Sequence, residues 1–443
     1  MEGFLDVTWS GDRIVWENLL RHYLTCLDGA FTFARFGDGS EAGSFWRQVF
    51  VVNEDGLYGR FPRLEGLHLT AHDFFFGETA VGELIKELVG RESPIRRAEL
   101  AMYLALLHPF ALLAARVAHW KNGLLEAFDP DLERAAAVKQ VSEAAALARH
   151  VTNLPKAFRE DAFLSTVMDK NLLTWGQASL LHRDSRPEGA NSAPLVVNPY
   201  EFAEGYVNQL ERLLYRDWYV ACFMENCKSS AIWASYGSNH TGVCLRFTTE
   251  EEQGKHSLHL NLVSGVGANG PLRREQLQPL SKVKYSKNIE PIDFFTSIGV
   301  LPVGSLNKYW YTGRDGQRSI CAQMIDGNDA SWRESYWRNF QLRTTRKFED
   351  WKQETEHRIV FSSSVQDVSA PEMRKATYRF EDLDGIIFGI RTSMEDKLKI
   401  YSIIKEKCIA TGRQDFSFYQ AAYSPIKGEI EYHPLQLLKI RQI

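Results

Sequence analysis

The chain has 443 residues, of which 44% are apolar and 24% charged, with a formal net charge of -4. That is enough apolar material to bury the core of two domains, or of one domain with a large insertion, and it excludes a disordered chain. The near balance of 52 basic and 56 acidic residues excludes a uniformly basic nucleic-acid coat.

The opening MEGFLDVTWSGDR carries no basic start followed by an apolar run, which predicts no secretory signal and a cytoplasmic protein. The six cysteines, Cys26, Cys222, Cys227, Cys244, Cys321 and Cys408, form no C-x-x-C pair and are expected as reduced core thiols. Ile14–Leu27 follows the helical period, with Val15, Leu19, Tyr23 and Cys26 on one face and Asp12 placed to cap its start. Ala30–Phe36 is rich in aromatic residues and reads as a strand ending at the turn Gly37-Asp38-Gly39. Val51–Leu69 is irregular.

From residue 78 the pattern becomes helical. Gly82–Val89, Ile95–Phe128 and Leu132–His150 predict a bundle of three or four helices, and Phe158–Trp175 a further helix. Leu100–Trp120 is long enough to span a membrane, but His108, Pro109, Arg116 and His119 argue for a buried helix kinked near Pro109, and no membrane is expected. His182–Pro199 has the composition of a linker. A helix over Tyr200–Arg216 precedes strands at Tyr219–Met224, Gly242–Phe247, His256–Leu262, Val283–Tyr285, His357–Phe361, Ala376–Phe380 and Ile386–Ile390. Helices at Ala330–Trp351 and Met394–Cys408 interrupt them. The expected fold is α+β: a mostly antiparallel twisted sheet with flanking helices, plus an inserted helical bundle. Residues 1–77 form an N-terminal segment that joins the sheet, 78–199 the helical block and linker, and 200–443 the C-terminal domain.

Two runs carry candidate chemistry. In Tyr219–Phe247 a strand enters a polar turn, and a short helix from Ser229 presents Trp233 and Tyr236 three residues apart. Such aromatics can floor a pocket for a flat ligand such as a nucleobase or nicotinamide; they can equally pack the helix on the sheet. In Thr344–Phe361 a helix turns into a strand on which Glu354, Glu356 and Arg358 share a face by the period of two. Paired carboxylates raise one pKa and supply a base or acceptor; the same pattern also describes the solvated face of an edge strand. Lys347 beside Arg346 offers a basic spot for ligand phosphates. Trp351 is expected to pack at the helix end. The histidines do not cluster, and no metal site is expected.

The ordered motifs Cys222-Phe223-Met224-Glu225-Asn226, Trp233, Tyr236, Asn239-His240, Gly242-Val243-Cys244 and Phe247 are followed by Val283-Lys284-Tyr285-Ser286. Lys347, Trp351, Glu354, Glu356 and Arg358 come next, and then Ile386–Gly389. Over residues 200–410 this order resembles the bacterial family called "domain of unknown function 2971". That family opens with a K-Y-R strand and a F-N-D-P-like loop. Phe33-Ala34-Arg35-Phe36 stands nearest the first, and nothing here matches the second. More distantly, the order is similar to the ADP-ribosyltransferase superfamily, with its Arg or His, aromatic and Glu motifs in succession.

That resemblance implies NAD as substrate, in ADP-ribosyl transfer or NAD glycohydrolysis by a toxin or phage-defence effector. Glu356 would bind the ribose and stabilise an oxocarbenium-like transition state, and Glu354 would orient the acceptor. Trp233 and Tyr236 would stack on nicotinamide, Arg35 or Lys347 would hold the pyrophosphate, and Arg358 would brace the carboxylates. The acceptor would be a protein or nucleic acid. Two other classes remain open: a non-enzymatic nucleotide-sensing or partner-binding subunit of a defence system, and a nucleic-acid-directed toxin.

Overall fold

A computed structural model describes residues 6–36, 66–155, 158, 162–184, 198–268, 270–287, 290–322, 325–326, 329–363, 368 and 370–438. The fold is α+β with several small, mainly antiparallel sheets. Among the described residues the strands divide over five sheets rather than one. The chain forms two compact units, one of Arg216–Ile289 with Phe340–Ile443, the other of Phe4–Tyr215 with Glu290–Asn339. Residues 290–339, expected with the C-terminal part, thus belong with the helices, where Trp310 and Tyr311 are fully buried.

The helical unit begins with the helix Arg13–Phe36. Asp12 caps it, its carboxylate accepting from the Val15 N–H at 3.2 Å and its carbonyl from the Trp16 N–H at 3.3 Å. The expected strand at Ala30–Phe36 is the C-terminal part of this helix. The buried spacing Tyr23, Leu27, Ala30 continues the 3.6-residue period and overrides the local aromatic content. Arg35 is therefore helical, and its side chain, like the turn at residues 37–39 and residues 51–65, lies outside the described residues.

Helices Leu67–Phe76, Thr79–Val89, Arg97–Lys121, Asp131–Asn153, Ala162–Asp184 and Pro199–Leu210 follow. Arg97–Lys121 is long and apolar enough to cross a membrane, and 78% of its most apolar window is buried within the structure. Two of its buried histidines make polar contacts there: the Tyr23 hydroxyl and His108 Nδ1 lie 2.7 Å apart, and His119 Nε2 is 2.9 Å from Asp28 Oδ1. The helix runs unbroken through Pro109.

In the other unit, Leu383–Phe388 pairs in parallel with Ser417–Ser424 and antiparallel with Val243–Phe247, and Glu429–Pro434 closes the far edge. The parallel pair requires a crossover, supplied by the helix Met394–Thr411. Alternate residues face opposite ways: Ile386 and Phe388 join Ile404, Cys408 and Phe418, whereas Ile387 joins Trp233, Cys227 and Ile430. Trp218–Met224 pairs antiparallel with Glu356–Ser362, and Lys284–Ser286 pairs in parallel with Arg346–Phe348. Lys255–Gly267 and Gly270–Pro279 form a long hairpin.

Candidate functional site

The elements around Glu356 bring five of the expected side chains together. The predicted helix Ala330–Trp351 ends at Thr344. Arg346–Phe348 is instead a short strand and Glu349–Glu354 a 3-10 turn. Thr355 then takes φ 44°, ψ 47°, and the strand starts at Glu356. Glu354 and Glu356 consequently do not share a strand face. Both nonetheless reach Lys347, because the left-handed residue between them breaks the period of two. A β-branched residue in that conformation costs about 1–2 kcal/mol, so the surrounding contacts must hold it there.

Lys347 is the centre of the cluster. Its Nζ donates to Glu354 Oε2 at 2.5 Å and to Glu356 Oε2 at 3.2 Å. Arg358 donates from Nε to Glu356 Oε1 at 2.7 Å, from Nη2 to Glu356 Oε2 at 3.2 Å, and from Nη1 to the Thr344 carbonyl at 2.9 Å. Glu354, Glu356 and Arg358 are each 1% exposed, so this is a buried network and not the solvated face of an edge strand. The Glu356 N–H donates to the Tyr285 hydroxyl at 2.8 Å, which ties the network to the neighbouring strand.

The Tyr236 hydroxyl donates to Glu354 Oε1 at 3.0 Å. Ser229 caps the helix Ser230–Ser235 that delivers it, and Tyr236 is 57% exposed. Tyr236 is therefore the outward-facing member of a relay running Tyr236, Glu354, Lys347, Glu356, Arg358. The two aromatics of the helix part company. Trp233 is 4% exposed, donates its indole N–H to the Cys227 carbonyl at 2.7 Å and packs with Ile387 and Ile430. It is a core residue, and the ligand-stacking role expected of it does not fit that burial.

The electrostatics follow from the same contacts. Burial works against the Glu356 carboxylate, but hydrogen bonds from Arg358 and Cys222 and the nearby Arg358 and Lys347 charges outweigh it and hold its pKa below the usual value. Burial likewise opposes the Lys347 charge, yet the two carboxylates raise its pKa above the ordinary lysine value. Glu356 is thus held ionised and Lys347 protonated. Burial is the leading cause of the raised Tyr285 pKa.

Trp351 is 43% exposed, with Lys347 Nζ 4.9 Å from its ring centroid. It is not the buried packing residue expected. Trp351→Ala should accordingly cost about 1 kcal/mol or less, the scale of an exposed cation–π contact, rather than the several kcal/mol of an emptied core position. Thermal melts of the two proteins measure the difference.

Two features lay beyond the motif reading. Tyr285 stood within the V-x-Y-S run but was given no role. Ser238, Asn239 and His240 are successive residues with φ of 48°, 54° and 69°. They close the turn after Tyr236, with the His240 N–H donating to the Trp233 carbonyl at 3.2 Å and the Gly242 N–H to the Gly237 carbonyl at 2.8 Å. The Asn-His pair was the available signal, since both residues tolerate the left-handed region better than most. A Cβ at Gly237 would lie 2.7 Å from the Trp233 carbonyl oxygen, so this tight exit from the helix requires glycine. Among the described residues, no group of three or more His, Cys, Asp or Glu is arranged to hold a metal ion. No family model matches the chain, and neither does any curated protein or solved structure.

Proposed function

We propose that the Tyr236–Glu354 end of this network binds NAD and cleaves its bond to nicotinamide, transferring ADP-ribose to water or to a macromolecular acceptor. The observation that carries the reading is the meeting of an exposed tyrosine with a buried carboxylate that is itself held by a lysine. Both oxygens of Glu356 are engaged by Arg358 and one also by Lys347, which suits a positioning residue. Glu354 keeps one oxygen on Tyr236, a residue more than half exposed. The substrate-contacting carboxylate is therefore assigned to Glu354, not to Glu356. Tyr236 would move off Glu354 and lie against the nicotinamide ring. The C1′–N bond would break with its electron pair leaving on neutral nicotinamide, while Glu354 stabilises the positive charge developing on the ribose. Water or an acceptor hydroxyl would add at C1′ and release its proton to solvent. The motif order noted above, similar to the ADP-ribosyltransferases, supports the same reading by analogy. With it goes the proposal that the helical block of residues 78–199 is an insertion; that block falls in the same compact unit as the rest of Phe4–Tyr215 and Glu290–Asn339.

Tyr236→Phe is the first variant to make. It removes one hydroxyl from an exposed ring, so the melting temperature should hardly change. The proposal expects altered NAD turnover, measured as nicotinamide release by chromatography and mass spectrometry of the purified chain with NAD and cell extract. Turnover equal to wild type in both kcat and KM would remove Tyr236 from the site.

A second reading, a binding subunit without catalysis, is favoured by one fact: both carboxylates are already paired with cations and buried. Such a network can be wholly structural. It predicts NAD binding or partner binding with no nicotinamide released.

A further inference from the structure

The helical unit contains a cavity of about 200 Å³ that includes none of the candidate-site residues described above. The cationic and polar donors of its lining come from three separate stretches of chain: Arg21 and Thr25 from the first helix, His68 and His72 from the helix Leu67–Phe76, and Lys308 and Arg314 from the segment that returns to this unit. No aspartate or glutamate lines it among the described residues. The carboxylates nearest these cations stand outside the lining, Glu17 at 3.8 Å from Arg21 Nη2 and Asp73 at 3.2 Å from Arg314 Nη1.

Two buried polar atoms of the lining lack a hydrogen-bond partner among the described residues. His72 is 2% exposed and Thr25 4%, yet neither His72 Nε2 nor Thr25 Oγ1 has a hydrogen-bond partner among the described residues. Buried polar atoms are nearly always satisfied, and an exception calls for a missing ligand or water. Burial first, and then the positive charges of Arg314, His68 and Arg21, push His72 down to about 3; burial pushes His22, also in the lining, down to about 4. The cavity is thus a place where positive charge is concentrated and further positive charge is resisted.

We propose that this cavity is a binding site for a small phosphate-bearing anion, either free inorganic phosphate or the end of a small phosphomonoester. A tetrahedral phosphate accepts hydrogen bonds from several directions, matching guanidinium, ammonium, imidazole and hydroxyl donors that arrive from three segments; a planar carboxylate is satisfied by a single arginine fork. Size restricts the ligand. At about 200 Å³ the cavity is smaller than the usual pocket for a drug-sized molecule, which favours a small ligand over a dinucleotide. The site is therefore separate from the proposed NAD site in residues and in ligand, and either can fail without the other.

The test uses the full chain at fixed ionic strength, titrated calorimetrically with inorganic phosphate, glycerol 3-phosphate, glycerol and acetate. Saturable 1:1 binding of phosphate, of glycerol 3-phosphate or of both is expected, with no response to glycerol or acetate. The stronger of the two phosphate ligands identifies the source. Lys308→Met with Arg314→Met should weaken binding at least tenfold while leaving the melting temperature without phosphate unchanged or higher, because like charges are removed. In a histidine-labelled sample the His72 imidazole resonances should shift with phosphate and stay still in the double variant. Absence of saturable binding in the millimolar range, an equal response to acetate, or binding that leaves His72 and the double variant unaffected would each overturn the proposal.

Discussion

Arg358→Met is expected to lower stability by about 3–5 kcal/mol, because it leaves the Glu356 carboxylate buried beside a single remaining cation. Arg358 and Glu356 are each 1% exposed, and three of the hydrogen bonds described above begin on that guanidinium. For a unit of this size the melting temperature should fall by roughly 10 °C or more. Truncating one partner costs more than the pair contributes, so the double variant Glu356→Gln with Arg358→Met should recover part of the loss. A double variant as unstable as the sum of the two single changes would deny the coupling.

The network should also shape the pH dependence of stability. Glu356 has a folded pKa below its ordinary value of 4.5, so its contribution is present above that value and is lost as pH falls through the lower, folded pKa. Lys347 has a folded pKa above its ordinary value of 10.5, so its contribution is complete below that value and is lost as pH rises through the higher, folded pKa. Denaturant melts of this unit should therefore be flat between these limits, with an acid limb that Glu356→Gln diminishes.

How far the sequence foretold this arrangement depends on the range of the interaction. Helices such as Asp131–Asn153 were legible because alanine-rich turns and a 3.6-residue period are local properties. The strand Gly270–Pro279 was missed because PLRREQLQP is mostly exposed on both faces and shows no apolar alternation. The strands Ser417–Ser424 and Glu429–Pro434 were not anticipated either; the first is held beside Leu383–Phe388 across a parallel crossover and the second beside the first, which is a tertiary fact. The aromatic run before Phe36 looked like a strand, but packing of one continuous helix prevailed. Glu354 and Glu356 were rightly brought to one place for an incorrect reason. No local rule puts a threonine in the left-handed region, so the period of two was applied across a residue that breaks it. The phosphate cavity had no local signature at all, since its lining spans Asn18 to Arg314.

Glu354→Gln carries the largest expected effect on activity. Glutamine keeps the size and leaves an oxygen for the Tyr236 hydroxyl or Lys347 to use, and Lys347 retains Glu356 as its anionic partner. The fold should survive with a modest loss of stability. What disappears is the negative charge that would face a developing oxocarbenium ion, and losing one such preorganised contact costs on the order of a hundredfold or more in rate. The direct measurement is nicotinamide release from NAD by the purified chain with cell extract, for wild type and Glu354→Gln, alongside circular dichroism melts of both. Release by wild type, with release at least about a hundredfold slower in a folded Glu354→Gln protein, is the predicted result. No consumption of NAD by wild type, or full activity in Glu354→Gln, would contradict it.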